Sequence, residues 1–526
     1  MHRRHGHTRR TAFVLIGVVG VALLGLVAFV GCTSLPSLAG RTRTTALDRT
    51  QAAATRLGHA VQPLAASHPG ASGLIPLDNP RAAFAARMLL ARHADRSIDA
   101  QYYIWHDDLT GTLLLAELER AAQRKVRVRL LVDDNGIAGL DDTLAVLATL
   151  PHFEVRLFNP FTFRHPKWLN YLTAFGRLNH RMHNKSFTVD NAATIIGGRN
   201  IGDNYFGATD DVEFADLDVL AVGPVVPEVS DEFDRYWASS RAFPIGRIVR
   251  APAAGTLARF HARTEALERS DLTSAYRTAL QEDDAVRRLD DGTAQFIWAS
   301  TRMYSDPPDK TLAGKDGQDR LIDDLAPVFA NTRHSLQLIT AYFVPGTDGA
   351  REFTNLAERG VDVRILTNSL AATDVAAVHA GYLKYRKRLL KAGVKLYELK
   401  RTSEGNPDRT RMGPSGSSAS SLHAKTFAVD DRQVFIGSFN FDPRSVDLNT
   451  EMGFLIDSPA MAQEMATAFE QDIPGHAYQL QLEGNDIRWV LRVDGESRLY
   501  ATDPDTSWAQ RAWTRILSWL PIEWLL

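Results

Sequence analysis

The chain has 526 residues, which is enough for two domains of ordinary size and further segments. Hydrophobic residues make up 44% of it and charged residues 23%, so buried cores can form. The formal net charge of −2 does not indicate a nucleic-acid binder, although a local basic groove is compatible with it. The single cysteine, Cys32, excludes an intramolecular disulfide.

The N-terminus predicts attachment to a membrane. Four arginines within the first ten residues precede an apolar run over residues 11–31, which is just long enough to cross a bilayer. The arginines should stay in the cytoplasm, which places the body on the periplasmic or extracytoplasmic side of a bacterial cell envelope. Cys32 ends this run as in a bacterial lipoprotein signal, which predicts lipidation of its thiol. Phe29 stands where that signal usually has leucine, so an uncleaved anchor is the alternative.

Residues 1–32 are therefore the signal or anchor, and residues 33–76, rich in small and polar residues, are predicted to be a linker. Strands and helices then alternate, which is typical of an α/β layered domain. We expect a first repeat at 77–242, a connecting region at 243–318 and a second repeat at 319–475. Residues 476–526 depart from the repeat and predict a hairpin followed by an amphipathic tail.

The predicted elements of the first repeat are a helix from Pro80 to about Asp95, strand Ser97–Ile104, helix Thr110–Gln123, strand Val126–Asp133, a helix over about Leu140–Leu150 and strand Phe153–Phe158. A further helix is expected around Ser274–Ala285. The predicted elements of the second repeat are helix Arg320–Arg333, strand Ser335–Tyr342, helix Gly349–Glu358 and strand Val361–Thr367.

Each repeat contains one copy of a short motif, with the same spacing in both. The first copy consists of His183, Lys185, Asp190 and Asn200, and the second of His423, Lys425, Asp430 and Asn440. An apolar or β-branched run follows each lysine, so histidine and lysine should face the same side of a strand. An imidazole, an ammonium group and an amide that converge on one point are suited to a phosphate group.

Two such half-sites placed together provide one histidine to attack phosphorus and one to act as acid and base. That is sufficient for a two-step transfer through a covalent phosphohistidine, for which neither a metal nor another cofactor is expected. His180, three residues before His183, could suggest a metal pair, but no cysteine or acidic cluster lies nearby in sequence.

These motifs resemble those of the phospholipase D superfamily, whose signature is HxKx4D followed by GSxN. The second copy matches fully, whereas the first reads GGRN, so Gly198 replaces the usual serine and removes one hydroxyl donor. The surrounding GGRNIGDNYFG and FADLDVLAVG are most similar to the cardiolipin synthase C group of bacterial membrane enzymes. The resemblance implies two α/β/α sandwich domains packed about a pseudo-two-fold axis, with the catalytic cleft on that axis.

The resemblance assigns catalysis to the histidine, lysine and aspartate of both copies and phosphate binding to Asn200 and Asn440. The turn positions of Asp190 and Asp430 favour a structural role for these two. The resemblance also assigns an orienting carboxylate, Asp216 or Glu451, to the histidine of its own repeat, with Asp218 as the rival in the first.

The resulting hypothesis is a membrane-associated phosphatidyltransferase that makes cardiolipin, with phosphatidylglycerol as acceptor and His183 as the nucleophile. A hydrolase that uses water as acceptor is the first alternative, a nuclease the second and a non-enzymatic scaffold the third. The expected partners are phospholipid substrates and the membrane, without nucleic acid. The need for a separate partner protein is left open.

Three further segments bear on membrane contact. Trp168, Leu172 and Phe175 fall on one helical face before His183, which predicts either lipid contact or packing on the domain. Residues 401–421 precede His423 and predict a mobile loop or lid, with disorder as the alternative. The tryptophan-rich face of a helix that begins near Asp505 predicts either a membrane interface or docking on the protein itself.

Overall fold

The computed structural model of the protein describes residues 35–209, 213–312, 320–401, 420–493, 495–523 and 526. The predicted membrane segment and Cys32 lie outside these residues, as does most of the predicted loop before His423. Within the described ranges, no helix is both long enough and apolar enough to cross a bilayer.

The strands fall into two sets, one for each repeat, and both sets extend beyond the predicted bounds of 77–242 and 319–475. The first set is β1 (Ser72–Leu77), β2 (Ser97–Ile104), β3 (Arg127–Gly136), β4 (Phe153–Phe158), β5 (Ser186–Val189), β6 (Ala193–Gly197), β7 (Glu213–Ala215), β8 (Asp218–Val222) and β9 (Ala242–Pro244). The second set is β10 (Ile297–Ser305), β11 (Ser335–Thr340), β12 (Asp362–Asn368), β13 (Lys395–Leu399), β14 (Ser420–Leu422), β15 (Lys425–Val429), β16 (Gln433–Gly437), β17 (Met452–Asp457), β18 (Ala477–Glu483), β19 (Asp486–Val493) and β20 (Glu496–Tyr500).

The two sets have the same strand order, which confirms that the repeat is a whole domain. The first sheet runs β1-β8-β6-β5-β2-β3-β4-β9 and the second runs β10-β17-β16-β15-β11-β12-β13-β18, extended by β19 and β20. Within each of these two sheets, parallel pairing among the described residues is confined to three strands, β2–β4 in the first and β11–β13 in the second. Strand β1 also pairs with β10, so the sheets join into one continuous sheet of 18 strands.

The helices before the connecting region are α1 (Arg49–Ala53), α2 (Arg56–Ala66), α3 (Pro80–His93), α4 (Leu109–Gln123), α5 (Asp141–Leu147), α6 (Tyr171–Leu178), α7 (Asp203–Phe206) and α8 (Val225–Ala238). Those of the connecting region are α9 (Thr256–Glu268), α10 (Asp271–Glu282) and α11 (Asp284–Asp290). The remaining helices are α12 (Leu321–Asn331), α13 (Gly346–Glu358), α14 (Ala376–Leu383), α15 (Arg386–Lys391), α16 (Pro443–Asp447), α17 (Pro459–Thr467), α18 (Ile473–His476) and α19 (Trp508–Trp519).

The predicted elements are confirmed to within a few residues, because their local signals are strong. Helix α3 begins where Asn79 accepts hydrogen bonds from two backbone amides and Pro80 occupies the first turn. The helices pack against both faces of each sheet, as the α/β/α prediction requires. A core of buried residues from both repeats, including Ile196, Val219, Ile436 and Phe454, lies between the two sheets.

The prediction of a linker over residues 33–76 is wrong for the described part of that segment. The carbonyl of Thr44 accepts a hydrogen bond from buried Arg129 at 2.8 Å, and the amide of Ala46 donates to Asp234 at 2.8 Å. The carbonyl of Leu47 accepts from Asn191 at 2.8 Å. Composition could not reveal this, because the residues of the first repeat that bind these three backbone groups are distant in sequence.

Asp190 and Asp430 occupy equivalent tight turns at the end of a strand. Both have positive φ, 54° and 52°, which aspartate tolerates better than most residues. The carboxylate of Asp190 accepts hydrogen bonds from the backbone amides of three successive residues, 95–97, at 2.8 to 2.9 Å. Asp430 accepts in the same way from residues 333–335. These aspartates therefore anchor the start of β2 and β11.

We predict that Asp190→Ala lowers the free energy of unfolding by about 3 kcal/mol, because buried amides lose their charged acceptor. Asp430→Ala should cost less, since Asp430 is only half-buried. Chemical denaturation followed by circular dichroism measures both effects. Equal stability of wild type and Asp190→Ala would contradict this role.

Candidate active site

Two short backbone pairings between the repeats bring the motif copies together. Met182 bridges Thr450, and the amide of His183 donates to the Thr450 carbonyl at 2.9 Å. In the other half, β7 pairs in parallel with β14, and the amide of His423 donates to the carbonyl of Ala215 at 2.8 Å. The residue that follows each acceptor, Glu451 or Asp216, is thereby placed beside the histidine of the other repeat.

The two histidine–carboxylate hydrogen bonds consequently cross the repeat interface. Nδ1 of His183 lies 2.8 Å from Oε2 of Glu451, and Nδ1 of His423 lies 2.6 Å from Oδ2 of Asp216. The expected residues are therefore present, but their assignment to the histidine of the same repeat is wrong. The physical reason is the strand exchange at residues 182 and 450 and at residues 213–215 and 420–422.

Asp218, the rival partner of His183, is engaged elsewhere. Its carboxylate binds the buried guanidinium group of Arg87 at 2.8 Å and lies 3.6 Å from that of Arg199. His180 does not join the site either, because its Nδ1 bonds the carbonyl oxygen of Leu448 at 2.9 Å. Asp190 and Asp430 bind backbone amides at the far ends of β5 and β15. Their assignment to catalysis is thus corrected to a structural role.

The two motif lysines place positive charge at both histidines. Nζ of Lys185 donates to the carbonyl of His183 at 2.5 Å, and Nζ of Lys425 donates to that of His423. All four side chains are buried. Burial lowers the pKa of both histidines well below the usual value, and the charges of both lysines lower each pKa further. Because each lysine acts on both histidines, the two half-sites form one electrostatic unit.

Burial also shifts the charged partners towards neutrality. It lowers the pKa of Lys185 to about 7 and lowers that of Lys425. It raises the pKa of Glu451 to about 7, against the charge of Lys185, and raises that of Asp216. A site of this kind should bind an anion favourably, because the negative charge would stabilise the protonated form of both lysines.

The two carboxylates differ in their hydrogen-bond partners. Glu451 accepts from the hydroxyl groups of Ser438 at 2.5 Å and Ser445 at 2.9 Å. The equivalent of Ser438 is Gly198, where a Cβ atom would lie 2.1 Å from Oδ1 of Asp216. The carboxylate of Asp216 thus occupies the space that a serine would need. The first motif copy therefore lacks the serine hydroxyl, as Gly198 predicts, and the Asp216 carboxylate lies in the space that the serine would occupy.

The surroundings of Nδ1 also differ between the histidines. Nδ1 of His423 lies 2.8 Å from Nζ of Lys425 as well as close to Asp216. An ammonium group can only donate, whereas a carboxylate accepts, so both partners compete for the protonation state of this nitrogen. With Lys425 as donor, the proton of a neutral His423 ring is on Nε2. At His183 the carboxylate of Glu451 favours a proton on Nδ1 and a lone pair on Nε2.

Asn200 and Asn440, the predicted phosphate ligands, are both buried at the site. Oδ1 of Asn200 accepts from the amide of Ile104 at 3.1 Å, and its Nδ2 donates to the hydroxyl of Tyr205 at 3.0 Å. Oδ1 of Asn440 lies 3.5 Å from the hydroxyl of Thr340. One N–H of the Asn200 amide remains after the bond to Tyr205, because an amide nitrogen carries two.

Sequence reasoning missed the aromatic rings that hold the histidines. Tyr103 packs edge-on against His183, with ring centroids 5.1 Å apart, and Tyr205 packs in the same way against His423 at 5.2 Å. Phe214 lies 5.2 Å from His423 on another side. Tyr205 comes five residues after Asn200, in the GDNYFG segment. This closeness to the motif was the sequence signal that could have indicated a tyrosine at the site.

Comparison with known proteins places this geometry in a family. A family model described as "Cardiolipin synthase, PLD-like domain" matches residues 89–237 and 325–473. Cardiolipin synthase C of Escherichia coli strain K12 is 47% identical over 472 residues, which are 90% of this chain and 100% of that protein. An uncharacterized protein of Helicobacter pylori strain 26695 is 31% identical over 457 residues, 86% of this chain and 89% of that protein.

Among solved structures, the phosphatidylserine synthase of Haemophilus influenzae Rd KW20 superposes with a TM-score of 0.52. The match covers 80% of this chain and 91% of that one at 16% sequence identity, so it shows the fold alone. The two matched domains coincide with the two structural repeats, and both contain a complete histidine–lysine pair. The chain therefore belongs to the phospholipase D superfamily of enzymes, in the family of the cardiolipin synthase PLD-like domain.

Proposed function

We propose that this protein is a phosphatidyltransferase that makes cardiolipin by moving the phosphatidyl group of one phospholipid to phosphatidylglycerol. The observation that carries the proposal is one buried site in which two neutral histidines, each with Nδ1 within 2.8 Å of a carboxylate oxygen of the other repeat, share two lysines. The similarity to cardiolipin synthase C over most of the chain supports this choice of substrates.

In the first step, Nε2 of His183 attacks phosphorus and forms a P–N bond. The P–O bond to the leaving alcohol breaks, and His423 donates the proton from its Nε2 to that oxygen while its Nδ1 takes a proton from the ammonium group of Lys425, so the ring stays neutral. In the second step, Nε2 of His423 removes the proton of the incoming hydroxyl group, and Nδ1 returns its proton to Lys425. The new P–O bond then forms as the P–N bond breaks, which restores both imidazoles.

The roles are assigned by the contacts at Nδ1. A carboxylate at Nδ1 of His183 stabilises the positive charge that the ring gains when its other nitrogen attacks. The ammonium of Lys425 at Nδ1 of His423 favours a proton on the nitrogen that faces the leaving group. Lys185, Lys425, Asn200 and Asn440 would hold the phosphate oxygens through both steps.

We further propose that the enzyme works at the extracytoplasmic face of a membrane, attached through its N-terminal segment. The apolar run after four arginines supports this location. Hydrolysis is the competing function, because water can replace the incoming alcohol without any change in the protein's groups. A nuclease is disfavoured by the balanced charge of the chain.

Lipid analysis tests the transfer directly. In bacteria without their own cardiolipin synthases, the intact protein should produce cardiolipin, and His183→Ala and His423→Ala should not. His93→Ala, which changes an exposed histidine at the end of α3, is the matched control and should retain activity. Mass spectrometry of the lipids is the measurement. Phosphatidic acid without cardiolipin would instead identify a hydrolase, and no lipid change with the protein present would refute the proposal.

A chromogenic substrate should separate the roles of the two histidines. Phosphatidyl-p-nitrophenol has a leaving group that needs little protonation, so His423→Ala should still release about one equivalent of nitrophenol in a burst and then stall. Asp216→Asn should behave similarly because Asp216 is the partner of His423. His183→Ala should give no burst. A burst from His183→Ala but none from His423→Ala would reverse the assignment.

The pKa of Lys185 predicts the alkaline limb of the pH profile. Since burial lowers this pKa to about 7, the free site loses positive charge as the pH rises through neutrality, and kcat/KM should fall there. Bound phosphodiester stabilises the ammonium, so the same limb in kcat should lie at higher pH.

Lys185→Arg should move the alkaline limb of kcat/KM upward, because a guanidinium group stays protonated throughout this range. Steady-state kinetics on a short-chain substrate between pH 5 and 9 measure both profiles. An unchanged limb in the arginine variant would assign it to another group.

A further inference from the structure

Helix α19, near the C-terminus, packs its polar side on the protein and turns its apolar side outward, which is the reverse of an ordinary surface helix. Its one fully buried residue is polar Thr514, 1% exposed, whereas Trp508, Trp513 and Trp519 are 77%, 57% and 75% exposed. Ile516 and Leu520 are exposed on the same side. A surface helix normally packs its apolar side on the protein. The alternative that this tryptophan face docks on the protein itself is therefore wrong, because the polar side makes that contact.

The orientation of α19 is fixed by local contacts. Ser507 caps its first turn by accepting from the amide of Gln510, and the Gln510 side chain accepts from the amide of Ser507 in return. Arg511 donates to the carbonyl of Thr506 at 2.6 Å. The helix packs against α14 of the second repeat. The exposed apolar face is thus held outward by a capped and packed helix.

A basic groove of about 800 Å³ lies beside α19, between this helix, α14, α15 and strand β19. Its basic lining residues are Lys384, Arg386, Lys387, Arg488, Arg511 and Arg515, against two acidic ones, Asp486 and Asp503. Arg386 pairs with Glu398 and Asp503, Lys384 with Glu523 and Arg488 with Glu483, whereas Lys387 and Arg515 form no ion pair with any residue of the described ranges. The groove therefore has a surplus of positive charge next to the exposed tryptophans.

Helix α14, against which α19 packs, begins on the edge of the second sheet that holds the active site. Helix α14 follows the carboxyl end of parallel strand β12, and α6 follows that of β4 in the first repeat. Both catalytic histidines also lie at the carboxyl ends of the parallel strands, since β5 and β15 run antiparallel to β2 and β11. Just before α14, the carboxylate of Asp374 accepts a hydrogen bond from the hydroxyl of Tyr342 at 2.8 Å. Its negative charge also acts to raise the pKa of buried Lys425, against the effect of burial.

The first repeat presents a second apolar patch on this edge. Trp168, Leu172 and Phe175, in the segment that leads into His183, are all exposed. The protein therefore exposes one apolar patch in the first repeat and another on α19. Soluble proteins seldom expose such patches without a binding partner.

We propose that α19 is an interfacial helix whose tryptophan face enters a phospholipid bilayer, while the adjoining basic groove binds the phosphate headgroup of an anionic phospholipid. Tryptophan favours the boundary between headgroups and acyl chains, and lysine and arginine favour an anionic membrane surface. Bilayer contact at α19 and at the patch of the first repeat would hold both repeats against the lipid surface. This docking goes beyond the proposed reaction and does not depend on turnover.

Quenching of tryptophan fluorescence by brominated lipids tests the contact in the full chain. The protein is reconstituted in vesicles of brominated phosphatidylcholine, with or without phosphatidylglycerol. We expect quenching to increase when phosphatidylglycerol is present. In a chain that already carries Trp168→Phe, replacement of Trp508, Trp513 and Trp519 by phenylalanine should remove the increase while keeping the helix apolar. Trp298→Phe, which changes a half-buried tryptophan on β10, is the matched control and should retain it.

The charge of the groove is tested by Lys387→Gln combined with Arg515→Gln. Each neutralised charge should weaken docking of α19 on the anionic vesicles by about fivefold. Arg269→Gln, an exposed change on the connecting region, is the control. Quenching that persists in the triple phenylalanine variant, or that is equal with and without phosphatidylglycerol, would overturn the proposal. Self-association lost in that variant, without quenching in the wild type, would identify an interface between copies instead.

Discussion

The arrangement of the active site depends on one constraint, which is that each histidine receives its carboxylate from the other repeat. The crosswise bonds of His183 to Glu451 and of His423 to Asp216 are produced by backbone pairing between the repeats directly beside these residues. Among the described residues, neither motif histidine is bonded to a carboxylate of its own repeat. The continuous sheet and the shared apolar core between the repeats therefore also maintain the chemistry.

Burial of charge gives this site its reactivity. Two histidines, two lysines and two carboxylates lie together with little access to water, so each group is shifted towards its neutral form. Burial of these ionisable groups costs free energy in the free protein, and a bound anion of suitable shape would reduce that cost. A phosphodiester meets that need, because its oxygens carry a negative charge that the two ammonium groups can bind.

The two halves are nevertheless different in chemistry. Glu451 is bonded by two serine hydroxyls, whereas Asp216 fills the space left by Gly198 and shares Nδ1 of His423 with a lysine. A reaction in two steps needs one imidazole with a lone pair and one with a proton at the reacting nitrogen. The duplicated fold supplies the pair of histidines, and the small differences around them provide the asymmetry.

The sequence by itself determined the repeat, the α/β layers and the identity of the site residues. Equal spacing from His183 to Asn200 and from His423 to Asn440 is a local pattern, and periodicity located strands such as Ser97–Ile104 at their observed bounds. Only the tertiary structure decided which carboxylate serves which histidine, because residues 182 and 450 are distant in sequence and meet through strand exchange. The contact of residues 42–47 with the first repeat and the outward face of α19 were likewise decided by packing. Amphipathic spacing predicts an apolar face, whereas the side on which a helix is packed depends on the surface it meets.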